Sequence, residues 1–503
     1  MRQAFRPGRF TSASILFLIG SVAYATKGGR PSTNPPAYAA FSKPLTQTEQ
    51  CYHALRRLTF GSKPGDYEAI SRIGLHRWIE NELHPEKTPE NPVLEKELLP
   101  LQALRMGIRD TYTHYPPPQM IAAVARGKGP LPDDPELRAI VVRLADRYLQ
   151  RKGEAQTADA VAPADQVENS NELPDLDLKV KLSSLLTPDQ ITILQSGKPD
   201  EKAQVLAGIP PEKRLDFAWA VRPQQRWQLL ALAPVELRRE LMLSVAPQNV
   251  VASDLAEGKL LRAVYSTHQL QELLVDFWYN HFNVFLNKGA DRYLVPTYER
   301  EAIRPHVFGK FYDLLLGTAK SPAMLFYLDN WQSVSPEAAE HQARLNPKAA
   351  KRGLNENYGR ELLELHTLGV DGGYTQKDVI EVARCFTGWT IARPRQGGEF
   401  EYNDKVHDKG RKVVLGHVIP PGGGMEDGLK VLSILAHHPS TARFISLKLA
   451  QRFVADNPPP SLVARMANTF TKSDGDLRQV VRTMITAPEF WSQGAYNAKI
   501  KTP

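Results

Sequence analysis

Cysteine is nearly absent: the 503 residues hold two, Cys51 and Cys385. A pair that distant allows one bridge and no disulfide framework, and the simpler expectation is two small buried side chains. Beyond residue 25 no stretch is long and apolar enough to span a bilayer. The formal charge of +8 comes without a Lys/Arg cluster interleaved with aromatics, which disfavours nucleic acid as a partner. There is also no GxSxG elbow, P-loop, GxGxxG, CxxCH or HExxH. The chain therefore announces no standard nucleophile, nucleotide, haem or paired-histidine metal site.

What is present begins with an export signal. Arg2, Arg6 and Arg9 precede the apolar run ILFLIGSV and then Ala23-Tyr24-Ala25, which predicts a signal peptide over 1–25 and cleavage after Ala25. Removing those three arginines leaves about 8 − 3 = +5 on the mature chain. The alternative, an uncleaved anchor, is weakened because the run is shorter than a span of about 20 residues. The expected location is periplasmic or secreted, with no transmembrane span after cleavage.

Residues 26–45, rich in Pro, Gly and Ser, read as a flexible tether. Helical periodicity starts near 46 and continues to about 150. The stretch 153–178 holds seven acids with no base and no aromatic, so 151–180 is expected to be a disordered linker. Proline then recurs at 188, 199, 211, 223, 234 and 247. Proline suits the first position of a helix, where its missing N–H costs nothing. This phasing predicts an array of short stacked helices over 181–250 that shares one apolar side. The segment 251–503 is again helix-rich. Within it, 399–416 alternates around Gly410, predicting a β-hairpin with strands near 399–402 and 411–415. The fold expected is mainly α: a multi-helical core, one small hairpin and an inserted array of proline-started helices.

The densest polar chemistry lies in LNENYGRELLELHTLGVDGGYTQKDV. At about 100° per residue, Asn357, Glu361 and Glu364 share one stripe, with Glu356 and Arg360 beside it. His366 falls among the apolar residues opposite. One small ion therefore cannot be held by Glu361 and His366 together unless the helix end unwinds. The plainer alternative is a salt-bridged face, because Glu356/Arg360 and Arg360/Glu364 are spaced i, i+4. In FWYNHFNV, His281 shares a face with Leu274, Phe277, Trp278 and Phe282, flanked by Asp276 and Asn280. Asp329 could add an acid. His407-Asp408 sits at the expected hairpin turn, a place that favours Asp for backbone reasons alone. Thr375 and Asp378 have the spacing of a helix-capping pair.

Taken with HALRRLTFG, SPAMLFYLDN, HDKGRKVVLG and HHPSTARFISLKLAQRFVADNPPP, these stretches occur in an order that resembles the bacterial domain of unknown function 1800 family. The resemblance covers about 48–495, interrupted by the acidic linker and the array. It implies an exported bacterial protein, often encoded beside a member of the domain of unknown function 1501 family, which makes such a protein the candidate partner. It assigns no reaction.

The site expected from the residues lies between the 270–285 and 354–369 helices. As an enzyme the chain would be a hydrolase acting on an extracellular polymer or conjugate. Glu361 or Glu364 would serve as general base, Arg360 as anion clamp, and His281 or His366 as relay. Asn355, Asn357, Trp278 and Trp389 are the candidate substrate contacts. If a cofactor is used, a divalent metal is the candidate, with His281, His407 and Asp408 as its ligands. The competing expectation is a non-catalytic binding or secretion factor that engages another exported protein through the proline-phased array.

Overall fold

Proline decides where many helices of this chain begin. In the computed structural model, which describes residues 36–159, 180–244, 246–345, 352–393 and 398–500, the helices Pro188–Ser196, Pro199–Ala207, Pro211–Ala220 and Pro223–Leu230 each carry proline in their first position. Pro234 and Pro247 stand one residue before Val235–Leu243 and Gln248–Tyr265. Each short helix is too small to bury its apolar side alone. Together they close over a shared cluster that includes Leu194, Leu206, Phe217, Leu229, Leu237 and Leu241. Burying each such side chain contributes about 1.5–3 kcal/mol at most. Trp219 leans out of this array onto the helix Pro135–Asp159, where Arg143 and Arg147 lie 5.6 and 4.7 Å from its ring.

A second and much larger apolar cluster draws on helices from both ends of the chain, among them Gln47–Leu58, Gln269–His281, Gln376–Cys385, Pro439–Phe453 and Leu477–Ile485. Their apolar residues recur at helical spacing and face inward. Trp278, Phe282, Phe311, Phe386 and Trp389 are fully buried there. Cys51 and Cys385 are both buried and unpaired, in different clusters. The architecture is mainly α-helical, and no helix among the described residues is long and apolar enough to cross a membrane.

Three local expectations are corrected. Residues 36–45 do not hang free: Pro36–Ser42 forms a 3-10 helix, and Leu45 N donates to Trp491 O (2.9 Å) while Gln493 N donates to Lys43 O (2.8 Å). The expected signal and the rest of the expected tether lie outside the described residues. The helix Pro135–Asp159 takes in the first part of the supposed linker, whose remainder also lies outside them. The two strands expected in 399–416 exist but do not pair with each other. β1 (Trp389–Ile391) pairs with β2 (Phe400–Tyr402), and β3 (Lys412–Val414) pairs with β4 (His417–Ile419), both antiparallel. The reason lies in the turn residues. Leu415 and Gly416 adopt positive φ of 48° and 79°, which suits a two-residue hairpin turn after β3. The segment between β2 and β3 instead winds into the 3-10 helix Asp404–Val406 and turns His407 and Asp408 into the protein.

Candidate functional site: a cation-lined cleft beside His281

The signature helix starts with a full side-chain cap. Asn355 Oδ1 accepts from Asn357 N (2.9 Å) and Tyr358 N, while its Nδ2 donates to Leu328 O (2.7 Å). The helix Glu356–Glu361 then widens into the π-helical turn Leu362–Thr367. Leu368 N reaches back five residues to Leu363 O (2.8 Å), and Thr367 Oγ1 donates to Leu362 O (2.6 Å). Gly369, at φ 82°, ends the helix against Phe444.

This geometry separates the sequence candidates into groups. Glu361, Glu364 and Arg360 lie on the outer side. No ion pair joins Arg360 to Glu356 or Glu364 among the described residues. Gln376 stands between two of them, accepting from Arg360 Nη2 (2.6 Å) and donating to Glu356 Oε2 (2.7 Å). Glu364 accepts from the Tyr374 hydroxyl at 2.8 Å. Partial burial, with Glu364 nearby, raises the Glu361 carboxyl above its ordinary range. Asn357 is exposed, and Asn355 is committed to its cap and to Leu328.

His366 belongs to the inner side, packed 5.1 Å from the Phe282 ring. Here it meets His281. The rings are 6.5 Å apart, and His281 Nε2 lies 3.0 Å from His366 O. A carbonyl only accepts, so Nε2 carries the hydrogen and the neutral ring keeps its lone pair on Nδ1. Burial lowers the pKa of His281 to about 4 and of His366 to about 3, so both are neutral at pH 7. Trp278 packs edge-on to His281 at 5.4 Å. It is wholly buried, as is Trp389, so neither offers a ligand the contact surface expected of it.

His407 and Asp408 form a third group, far inside a polar network. His407 Nδ1 meets Thr387 O at 2.8 Å, and its Nε2 meets Asp427 Oδ2 at 3.2 Å. Asp408 takes Arg384 in a two-pronged pair at 2.8 and 3.0 Å. Lys412, with no accessible surface, donates to Asp427 Oδ2 (2.8 Å) and to the Asp408 and Gly410 carbonyls. Every donor and acceptor of His407 and Asp408 named here serves this network. Asp329 sits apart as well, at φ 59° and paired with Lys288 at 2.9 Å. The expected metal set of His281, His407 and Asp408 does not converge. Among the described residues no group of three or more His, Cys, Asp or Glu is placed to hold a metal ion.

Beside His281 the surface opens into a cleft of about 610 Å³. Its walls come from four stretches separated in sequence: Arg57 and Phe60, Leu273 to His281, Lys448 to Phe453, and Lys499 with Ile500. Asn280 Nδ2 donates to Asp276 O at 2.8 Å. Glu361, Glu364 and Arg360 do not border the cleft. Sequence reasoning missed its cations, although a helical wheel places Arg57 on the buried side of its helix with Ala54 and Leu58.

The fold and cleft define a class: a mainly helical protein with a cation-lined cleft and a proline-phased array. The chain belongs to the family described as "Protein of unknown function (DUF1800)", whose match covers residues 53–503. No curated protein and no solved structure matches it significantly.

Proposed function

We propose that the chain is a hydrolase whose working site is the cleft at the end of the 269–281 helix, with His281 as its general base. The observation that carries this is the fixed tautomer of His281. The His366 carbonyl occupies Nε2, while Nδ1, on a residue of the cleft wall, has no partner among the described residues. In this reading Nδ1 takes a proton from water as the water oxygen attacks the substrate, and then returns it to the leaving oxygen. A pKa near 4 makes a weak base, but an anion beside the ring favours the imidazolium and raises it toward the working range. The general-base role thus passes from Glu361 and Glu364 to His281, because only the histidine reaches the cleft.

Two expectations accompany this reading: export, which would present the cleft to extracellular conjugates, and a partner of the domain of unknown function 1501 family. The test is an ester-hydrolysis panel with the purified protein, comparing wild type with His281→Asn. The variant should lose about 100-fold or more in kcat while its Tm holds. Wild type that turns over none of the panel, or a variant as active as wild type, sinks the reading.

A further inference from the structure

Four cations, Arg57, Lys448, Arg452 and Lys499, line the cleft against one carboxylate, Asp276. Two are already neutralised: Arg452 pairs with Asp276 at 3.2 Å, and Lys499 pairs with Asp456. Arg57 and Lys448 have no carboxylate partner among the described residues. Arg57 is the more telling, because it is only 8% exposed. Its Nε donates to Phe453 O at 2.9 Å and its Nη2 to Arg452 O, so it caps the end of the 439–453 helix. Capping explains those two nitrogens. It leaves Nη1 without a hydrogen-bond partner among the described residues, and it does not explain a buried guanidinium placed beside Arg452 on the cleft wall. Burial and the Arg452 charge pull its pKa down to about 10, against a smaller opposing effect of Asp456, which Lys499 already pairs. Desolvating a charge is costly unless a partner compensates it. Next to these groups Phe60 is 37% exposed, with Phe277 also on the wall.

We infer that the cleft binds a small organic anion, a phosphate or sulfate ester of an apolar group. The oxyanion sits on Arg57 Nη1 and Lys448 Nζ, and the apolar portion lies against Phe60 and Phe277. This inference rests on the same cleft as the hydrolytic reading and names its ligand class, but it requires binding only. Bidentate or paired cation contacts to an oxyanion are among the strong hydrogen bonds, and they weaken with salt where exposed.

The experiment is titration calorimetry on the full mature chain at low ionic strength, with inorganic phosphate, phenyl phosphate and phenyl sulfate as probes. The expected result is one saturable site for at least one ester, tighter than for inorganic phosphate and weakened by added salt. Lys448→Glu should reduce that affinity at least about tenfold, and Lys448→Arg should retain it. Lys448 carries the test because Arg57 also holds a helix end. No saturable binding to folded wild type, or Lys448→Glu binding as tightly as wild type, overturns the inference. Ester binding without turnover of any ester defeats the hydrolytic reading alone. Turnover of neutral esters without anion binding defeats this inference alone.

Discussion

Lys412 is the least expected residue of the fold, an ammonium with no accessible surface. It is tolerated because Asp427 and two backbone carbonyls satisfy it. Removing it strands Asp427 in the interior with only His407 as side-chain partner among the described residues. Lys412→Met should therefore cost about 3–5 kcal/mol in urea unfolding, and adding Asp427→Leu should recover much of that. A single variant as stable as wild type would show that the network is not closed in solution. Nothing in HDKGRKVVLG marked this lysine as buried, because the strand alternation around it is equally compatible with an exposed edge. His281 differs: its helical face was readable from neighbouring apolar residues, but its contact with His366 O, across 85 residues, was not.

At the scale of elements, the contact between the 356–367 segment and the helix Gln376–Cys385 depends on Gly359. A Cβ there would stand 2.8 Å from Val379 O and 3.1 Å from Ala383 N, both backbone atoms that cannot swing away. Gly359→Ala gains up to about 1 kcal/mol in helix propensity. The overpacking term, about 1–3 kcal/mol, should exceed it, so a lower urea midpoint is expected. A higher midpoint would mean that the two helices are less closely packed than described. The wheel placed His366 on the inner side even though the last turn is π-helical, because the widened turn starts only at Leu362. Capping was equally local: Thr375 and Asp378 form a reciprocal box. Strand pairing was not local. Alternation located β2 and β3, while the choice of partners followed from the Leu415-Gly416 turn and the burial of His407 and Asp408.

For the whole molecule, buried titratable groups set a pH dependence with two limbs. Burial raises Asp291 and Glu82 to about 8. Between about pH 4 and 8 these folded carboxyls keep protons that the unfolded chain releases, so stability falls as pH rises. Burial lowers His53 and His366 to about 3 and His281 to about 4. Below the ordinary imidazole value of 6.5 the unfolded chain takes up protons that these three refuse, so stability falls as pH drops. Three imidazoles outweigh two carboxyls on the acid side, which predicts a maximum close to pH 6.5. Calorimetric Tm values across pH 4.5–8.5 check this, and Asp291→Asn with Glu82→Gln should flatten the alkaline limb. A Tm that climbs steadily to pH 8.5 would contradict the burial of those carboxyls.

The sequence by itself determined the helical class, the helix starts at successive prolines, the capping pairs and which residues of each helix face inward. All of these depend on neighbours within a few residues, where backbone geometry and side-chain period act directly. Tertiary structure alone decided which faces met. It set His281 against His366, drew His407 and Asp408 away into the Lys412 network, and brought Arg57 to Lys448 across almost 400 residues. A cleft is made by packing between distant segments, and its charge balance emerges only when those segments are in place.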